Sequence, residues 1–163
     1  MVFEKACAEE ICALTDLRIA YLKEDHGGLT EDTEKSLRSA LPAYFTNHLN
    51  RDLFVYTAKD DGIVSCAFLV ASELPANPDF IAGRIGTVYN VYTVPDHRRR
   101  GLAKRVMQML LSDAEQFGLD FVELKASQNG YRLYETLGFK ETVFTHIPMK
   151  KYFSDKQSQS AHG

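Results

Sequence analysis

The stretch Ile85 to Val94 is apolar or aromatic on both alternations, with Val88 and Tyr92 on one and Tyr89 and Val91 on the other. A strand of this kind has to be covered on both faces, so it belongs in the middle of a sheet that carries helices on each side. Pro95 ends it, and Arg98-Arg99-Arg100-Gly101 follows. Leu102, Val106, Met109, Leu110, Ala114 and Phe117 then recur at helical spacing as far as Gly118, a left-handed cap. The rest of the chain has to be arranged around this strand, basic turn and helix.

Ahead of it, Val2 to Ala6 is β-prone, and the spacing of Ile11, Leu14, Leu17 and Tyr21 predicts a helix broken at His26-Gly27-Gly28. Thr30 caps a second helix, with Glu31, Asp32 and Glu34 complementing the positive end of its dipole. The expected buried face of that helix is Leu37, Leu41, Tyr44, Phe45 and His48, and Pro42 within it predicts a kink or a break. Leu53 to Thr57 and Ile63 to Ala71 have period two and flank Asp61-Gly62, a hairpin turn, while Leu74 to Pro78 reads as a loop. Beyond Gly118 the expectation is a strand over Phe121 to Ala126, a short helix over Tyr131 to Leu137 stopped by Gly138, and strands over Glu141 to Phe144 and Ile147 to Tyr152. A domain takes about 100–200 residues. The 163 residues are therefore read as one domain over 1–153 with a polar tail over 154–163. The fold class is α+β, a mixed and mostly antiparallel sheet flanked by helices.

Charge restricts the partners. Nineteen Lys and Arg stand against 22 Asp and Glu, a net of −3, so there is no extended basic surface for nucleic acid or an anionic membrane, and any anion site is local. Cys7, Cys12 and Cys66 are odd in number and form no Cys-x-x-Cys pair, which encodes neither a disulfide framework nor a zinc site, and no metal is expected. Met1 to Lys5 includes an acidic residue where a signal peptide is cationic, and no apolar run approaches the roughly 20 residues of a membrane span. The expected location is the cytoplasm.

A helix N-terminus presents unpaired N–H groups at the positive end of its dipole, so the turn at Arg98 to Lys104 is the candidate anion site. Gly101 and Ala103 let a phosphate approach the backbone, and Arg98, Arg99, Arg100 and Lys104 add positive charge. Three arginines alone read equally as a solvated loop; the small residues and the helix behind them favour a diphosphate. Neither Gly-x-Gly-x-x-Gly nor Gly-x-x-x-x-Gly-Lys-[Ser/Thr] occurs, which argues against dehydrogenases and P-loop kinases. Arg98-x-x-Gly101-x-Ala103 instead resembles the Arg/Gln-x-x-Gly-x-Gly/Ala signature of the GNAT superfamily of N-acetyltransferases. Leu133-Tyr134-Glu135-Thr136-Leu137-Gly138-Phe139 is similar to that family's Leu-Tyr-Glu-x-Leu-Gly-Phe element, and the detailed likeness covers Asn90 to Phe139.

The resemblance implies acetyl-CoA as cosubstrate, its pyrophosphate on the backbone of Arg98, Arg99, Arg100, Gly101, Leu102, Ala103 and Lys104. It also implies that the pantetheine arm adds like a strand to Val91, Tyr92 and Thr93, where the central strand splays from a parallel neighbour. Tyr134 would lie near the CoA sulfur and protonate the departing thiolate. Many members carry Asn seven residues before this tyrosine; here Ser127 stands there, and Asn129 is the nearby substitute for that CoA contact. Glu123 is a candidate general base, with a water relay as the alternative. The expected reaction is direct attack of a primary amine, on a small molecule or a peptide, with a second copy of the chain as a possible protein partner. The rival reading is a CoA-sensing or partner-binding module without turnover. Tyr21, Tyr44, Phe45, Tyr89 and Tyr92 are expected mainly in the core, one or two of them reaching an acceptor pocket. Glu24, Asp25, Glu31 and Asp32 would favour a cationic acceptor, although the helix dipole already accounts for Glu31 and Asp32. His97 is read as a surface residue without a role.

Overall fold

The computed structural model describes residues 1–143 and 146–153. Five strands form one sheet: β1 (Val2–Lys5), β2 (Leu53–Lys59), β3 (Ile63–Glu73), β4 (Arg84–Thr93) and β5 (Phe121–Glu123), in the order β1-β2-β3-β4-β5. The first three pairings are antiparallel and the last, β4 with β5, is parallel. Helices α1 (Ile11–Asp25) and α2 (Glu31–His48) cover one face, where Leu14, Leu17 and Phe45 pack with Val55, Cys66, Phe68 and Tyr92. Helix α3 (Leu102–Gln116) covers the other, burying Val106, Met107, Leu110 and Ala114 against Tyr56, Ala67, Leu69 and Val88. A short α4 (Tyr131–Thr136) follows β5. This is the mixed, helix-flanked sheet expected, and the two-sided apolarity of the central strand is met by helices on both faces.

The period-two segments pair as read, through a turn in which Asp61 and Gly62 both take positive φ. Thr30 caps α2, its hydroxyl accepting from the Thr33 N–H. Five local expectations change. Helix α2 runs unbroken through Pro42: the carbonyl of Arg38, which loses its donor, lies on an exposed turn open to solvent. Of its predicted buried face only Phe45 is fully buried, and Tyr44 is 40% exposed. On α3 it is Met107, not Met109, that is fully buried. Strand β5 stops at Glu123 rather than Ala126, and the described residues of 141–144 and 147–152 form no strand. Val143, Ile147 and Met149 are instead 94%, 86% and 89% exposed, because an alternating pattern is half of what a strand requires and the three residues of β5 offer little edge to pair with. Phe144 and the expected tail over 154–163 lie outside the described residues.

The β4–β5 pairing sets the position of the site and is itself tightly packed. A Cβ on Gly86, which pairs with Val122, would stand 2.7 Å from Leu69 Cδ1 and 2.9 Å from Leu119 Cδ1. Leu69 is fully buried and has nowhere to swing. Gly86→Val is expected to destabilise the fold by about 1–3 kcal/mol, as overpacking does. A lowered midpoint in urea unfolding checks this, and an unchanged midpoint overturns it.

Candidate active site

Between β4 and α3 the chain makes a 3-10 turn over Pro95–His97, then a bend in which Arg99 (φ 64°) and Gly101 (φ 75°) are both left-handed. The first helical bond of α3 runs from the Arg105 N–H to the Gly101 carbonyl. Between Arg98 and Arg105, no backbone N–H from Arg99 to Lys104 donates to an acceptor among the described residues. Six successive unpaired donors therefore lie at the positive end of a 15-residue helix. A Cβ on Gly101 would meet nothing within 4 Å, so the space above this backbone is open to a ligand.

The arginine side chains are differently employed from what their number suggests. Arg98 donates through Nε to the Thr93 carbonyl at 2.9 Å and through Nη2 to Glu24 Oε2 at 2.6 Å, with its guanidinium over the Tyr92 ring. Arg100 donates to the Asp96 carbonyl at 2.8 Å. Both side chains brace the turn, whereas Arg99 and Lys104 are exposed beside it. His97 Nε2 lies 3.6 Å from Asp60 Oδ2 while its Nδ1 is buried without a hydrogen-bond partner among the described residues, so the ring belongs to the packing under the turn.

Strand β4 forks from its parallel neighbour immediately before this turn. Its pairing with β5 covers Ile85, Gly86 and Thr87 only. Opposite β3 the ladder continues to Thr93, so Val88 to Thr93 is a strand with one edge unpaired among the described residues. Within it Asn90 has φ 52°, and the register of β3 against β4 slips between Cys66 and Phe68. One extra residue in β4 makes this a bulge, and Asn tolerates the left-handed conformation better than its apolar neighbours. The bulge undoes the strict alternation expected for this strand: Val88 and Val91 both pack on the α3 side, whereas Tyr92 joins the α1 and α2 side.

Helix α4 packs Tyr134 against the α3-side core, within electrostatic range of Tyr21. Its start is held by Ser127, whose Oγ accepts from the Gly130 N–H at 3.2 Å and whose carbonyl accepts from Tyr131. Ser127 thus has a local structural duty in place of a side-chain amide, and Asn129 is exposed beside it. The Tyr134 ring packs edge-on to Phe139, and its hydroxyl has no hydrogen-bond partner among the described residues. Burial, together with the nearby Tyr21, pushes the Tyr134 pKa up to about 12, so the phenol holds its proton firmly. Glu123 is exposed at the end of β5, where the fork opens.

On the opposite side of β4 the residues come from α1 and α2. Arg18 donates to Asn90 Oδ1 at 3.1 Å, and the Asn90 amide in turn reaches Cys66 Sγ at 3.5 Å. The guanidinium lies over the Tyr21 ring, and Tyr21 meets Tyr92 edge-on. Burial is the main cause that lowers the Arg18 pKa. Of the aromatic set, Tyr44 and Tyr89 are open to solvent, at 40% and 50%, while Phe45 and Tyr92 are buried and Tyr21 is half-buried. The acidic group read as an acceptor wall is partly neutralised, because Glu24 is held by Arg98. No motif marks Arg18 or gives Asn90 a role; an arginine on the apolar face of α1 and a lone Asn in an apolar strand are the signals the sequence offers.

Two surface depressions, of about 380 and 500 Å³, lie elsewhere, one beside Leu119, Phe121 and Phe139 and one beside Lys5, Arg105 and Asp113. Neither includes the six-donor turn or Tyr134, and the open turn and fork are defined by backbone groups instead of by a cavity. Among the described residues there is no group of three or more His, Cys, Asp or Glu placed to hold a metal ion, and no helix long and apolar enough to cross a membrane.

Against known proteins, the family model described as Acetyltransferase (GNAT) family matches residues 16–139. A search of curated proteins found no match. Among solved structures, a predicted acetyltransferase with acetyl-CoA from Clostridium acetobutylicum is 27% identical, with a TM-score of 0.78 over 91% of this chain and 95% of that one. A GCN5-related N-acetyltransferase from Ralstonia eutropha (20% identical, TM-score 0.76, 91% and 97% covered) shares the fold. So does a ribosomal-protein-alanine N-acetyltransferase from Brucella melitensis (19% identical, TM-score 0.65, 92% and 100% covered).

Proposed function

The chain belongs to the GNAT family of acetyltransferases, and from that premise we propose that it transfers the acetyl group of acetyl-CoA directly to a primary amine, without a covalent enzyme intermediate. The observation that carries this reading is the run of six unpartnered backbone donors from Arg99 to Lys104 above an open Gly101. A diphosphate matches it in charge and in number of acceptors. The residues from Arg98 to Lys104 would hold the pyrophosphate, and Asn129 would add a side-chain contact. The unpaired edge at Val91, Tyr92 and Thr93 would align the pantetheine arm as an added strand, aiming the thioester into the fork.

The work left to the protein is mostly orientation. Holding an amine and a thioester in register is worth up to about 7–11 kcal/mol of barrier. Backbone donors of β4 would polarise the carbonyl as charge develops on its oxygen. Tyr134, protonated and without a competing partner, would give its proton to the departing sulfur. The attacking amine must be neutral, and Glu123 or a chain of waters would carry away the proton it loses.

Thiol release from acetyl-CoA, measured over a panel of amines, polyamines, amino acids and peptides, tests this reading. The expected result is release with at least one acceptor, together with a product heavier by one acetyl group. Tight binding of acetyl-CoA with no release across the panel would replace the enzyme by a CoA-sensing module.

A further inference from the structure

We infer that Arg18 is the acceptor-recognition residue of this site and that the amine substrate carries an anionic group, a carboxylate or a phosphate, which the Arg18 guanidinium receives. This rests on the acetyl-transfer reading and adds the chemical class of the acceptor. The other arginines with built-in partners mark the contrast. Arg38 is committed to Asp16 and Glu34, and Arg98 to Glu24. Arg18 is half-buried, yet among the described residues it makes no ion pair, and its one hydrogen bond is to the neutral amide of Asn90. A guanidinium has five N–H donors in a fixed fork, so most of this cation's capacity is unspent. Taking an unpaired charge out of water is costly, and burial indeed depresses its pKa. An anionic ligand would repay that cost, and a bidentate one best.

Position supports the same role. Asn90 is the bulge residue of β4, one residue before the edge assigned to the pantetheine arm. Tyr21 bridges the two halves of the site: its ring lies under Arg18 on one side, and on the other it is close enough to Tyr134 to raise that phenol's pKa. Arg18, stacked on Tyr21, and the proposed proton donor, within electrostatic range of Tyr21, thus share one neighbouring side chain. Of the acidic residues that would favour a cationic acceptor, Glu24 is already paired. Asp25 lies within electrostatic range of Arg18 but makes no contact with it.

Acetyl transfer is measured with leucine and glutamate against their α-amides, O-phosphoethanolamine against ethanolamine, and spermidine as the cationic case. The first two comparisons distinguish a carboxylate from a phosphate. Wild-type protein is expected to prefer the anionic member of at least one pair. Arg18→Met, which keeps the apolar stem over Tyr21, should raise KM for that acceptor by roughly 10- to 100-fold, the worth of a charged hydrogen-bonded pair. KM for acetyl-CoA should stay unchanged, and Arg18→Lys should recover part of the loss. A residue that merely tied α1 to β4 would lower kcat for every amine alike and show no such split. Preference for spermidine or the neutral amines, or an Arg18→Met variant with unaltered selectivity, overturns the inference alone. Absence of transfer to any amine instead removes the acetyl-transfer reading. In that event calorimetry of the same amines on CoA-saturated protein decides: Arg18-dependent binding of an anionic amine upholds the inference, and no binding ends it.

Discussion

Gly101→Glu is expected to reduce CoA affinity by at least about 100-fold while leaving the fold in place, because two effects combine at one residue. The carboxylate would project into the space above the six free donors, where nothing now lies within 4 Å, and would face a diphosphate of the same sign. Like charges about 4 Å apart repel by roughly 1 kcal/mol in water and about 4 kcal/mol near a protein surface. The same open space means that no core atom is displaced. The backbone cost of a side chain at φ 75° is about 1–2 kcal/mol. Gly101→Asn separates the two effects, since Asn visits the left-handed region readily and carries no charge. Calorimetric titration with CoA should give a large loss for Glu and a small one for Asn, with both proteins unfolding cooperatively on heating. Equal affinity of Gly101→Glu and the wild type would remove the diphosphate from this turn.

The contrast between backbone and side chain at this turn also shows where sequence reading succeeds. The small residues Gly101 and Ala103, the helix behind them and the apolar strand before them are local features, and each appears where the spacing placed it. The same holds for the hairpin at Asp61-Gly62 and the Thr30 cap, which depend on neighbours one to four residues away. The destinations of the charged side chains were not legible. Arg98 reaches Glu24 across 74 residues and Arg18 reaches Asn90 across 72, and no periodicity within either segment encodes such a pairing. The bulge at Asn90 was equally hidden: inserting one residue into a strand that is apolar on both faces leaves an apolar strand, so the pattern does not report the slip. The pattern over 141–152 failed in the opposite sense. Its alternation satisfied the local rule, but a strand also needs an edge, and the length of β5 is set by where it forks from β4. The feature that makes room for a ligand thus also left the sequence expectation without support.

Tyr134→Phe is expected to lower kcat by about 100-fold, the lower end of the range for general acids. The low end applies because a thiol ionises near pH 8.5 in its free state, so its thiolate already departs readily near neutrality and proton donation helps less than it would for an alkoxide. CoA affinity should change little, since the hydroxyl has no hydrogen-bond partner among the described residues and the ring keeps its packing on Phe139. The pH profile supplies an independent check. Tyr134 acts in its protonated form, and its pKa is pushed up from the ordinary value of 10.0 to about 12 by burial and Tyr21. Loss of its proton should therefore cause no decline in rate below about pH 10, two units short of that value. The amine, by contrast, must be deprotonated, so kcat/KM should rise with pH and then level off. Wild-type protein should show this rise and plateau, and the Phe variant the same shape at a lower level. A falling limb centred between pH 8 and 9 in the wild type, absent from Tyr134→Phe, would mean that the phenol ionises far more easily than its buried setting permits. Retention of full kcat in the variant would transfer proton donation to water.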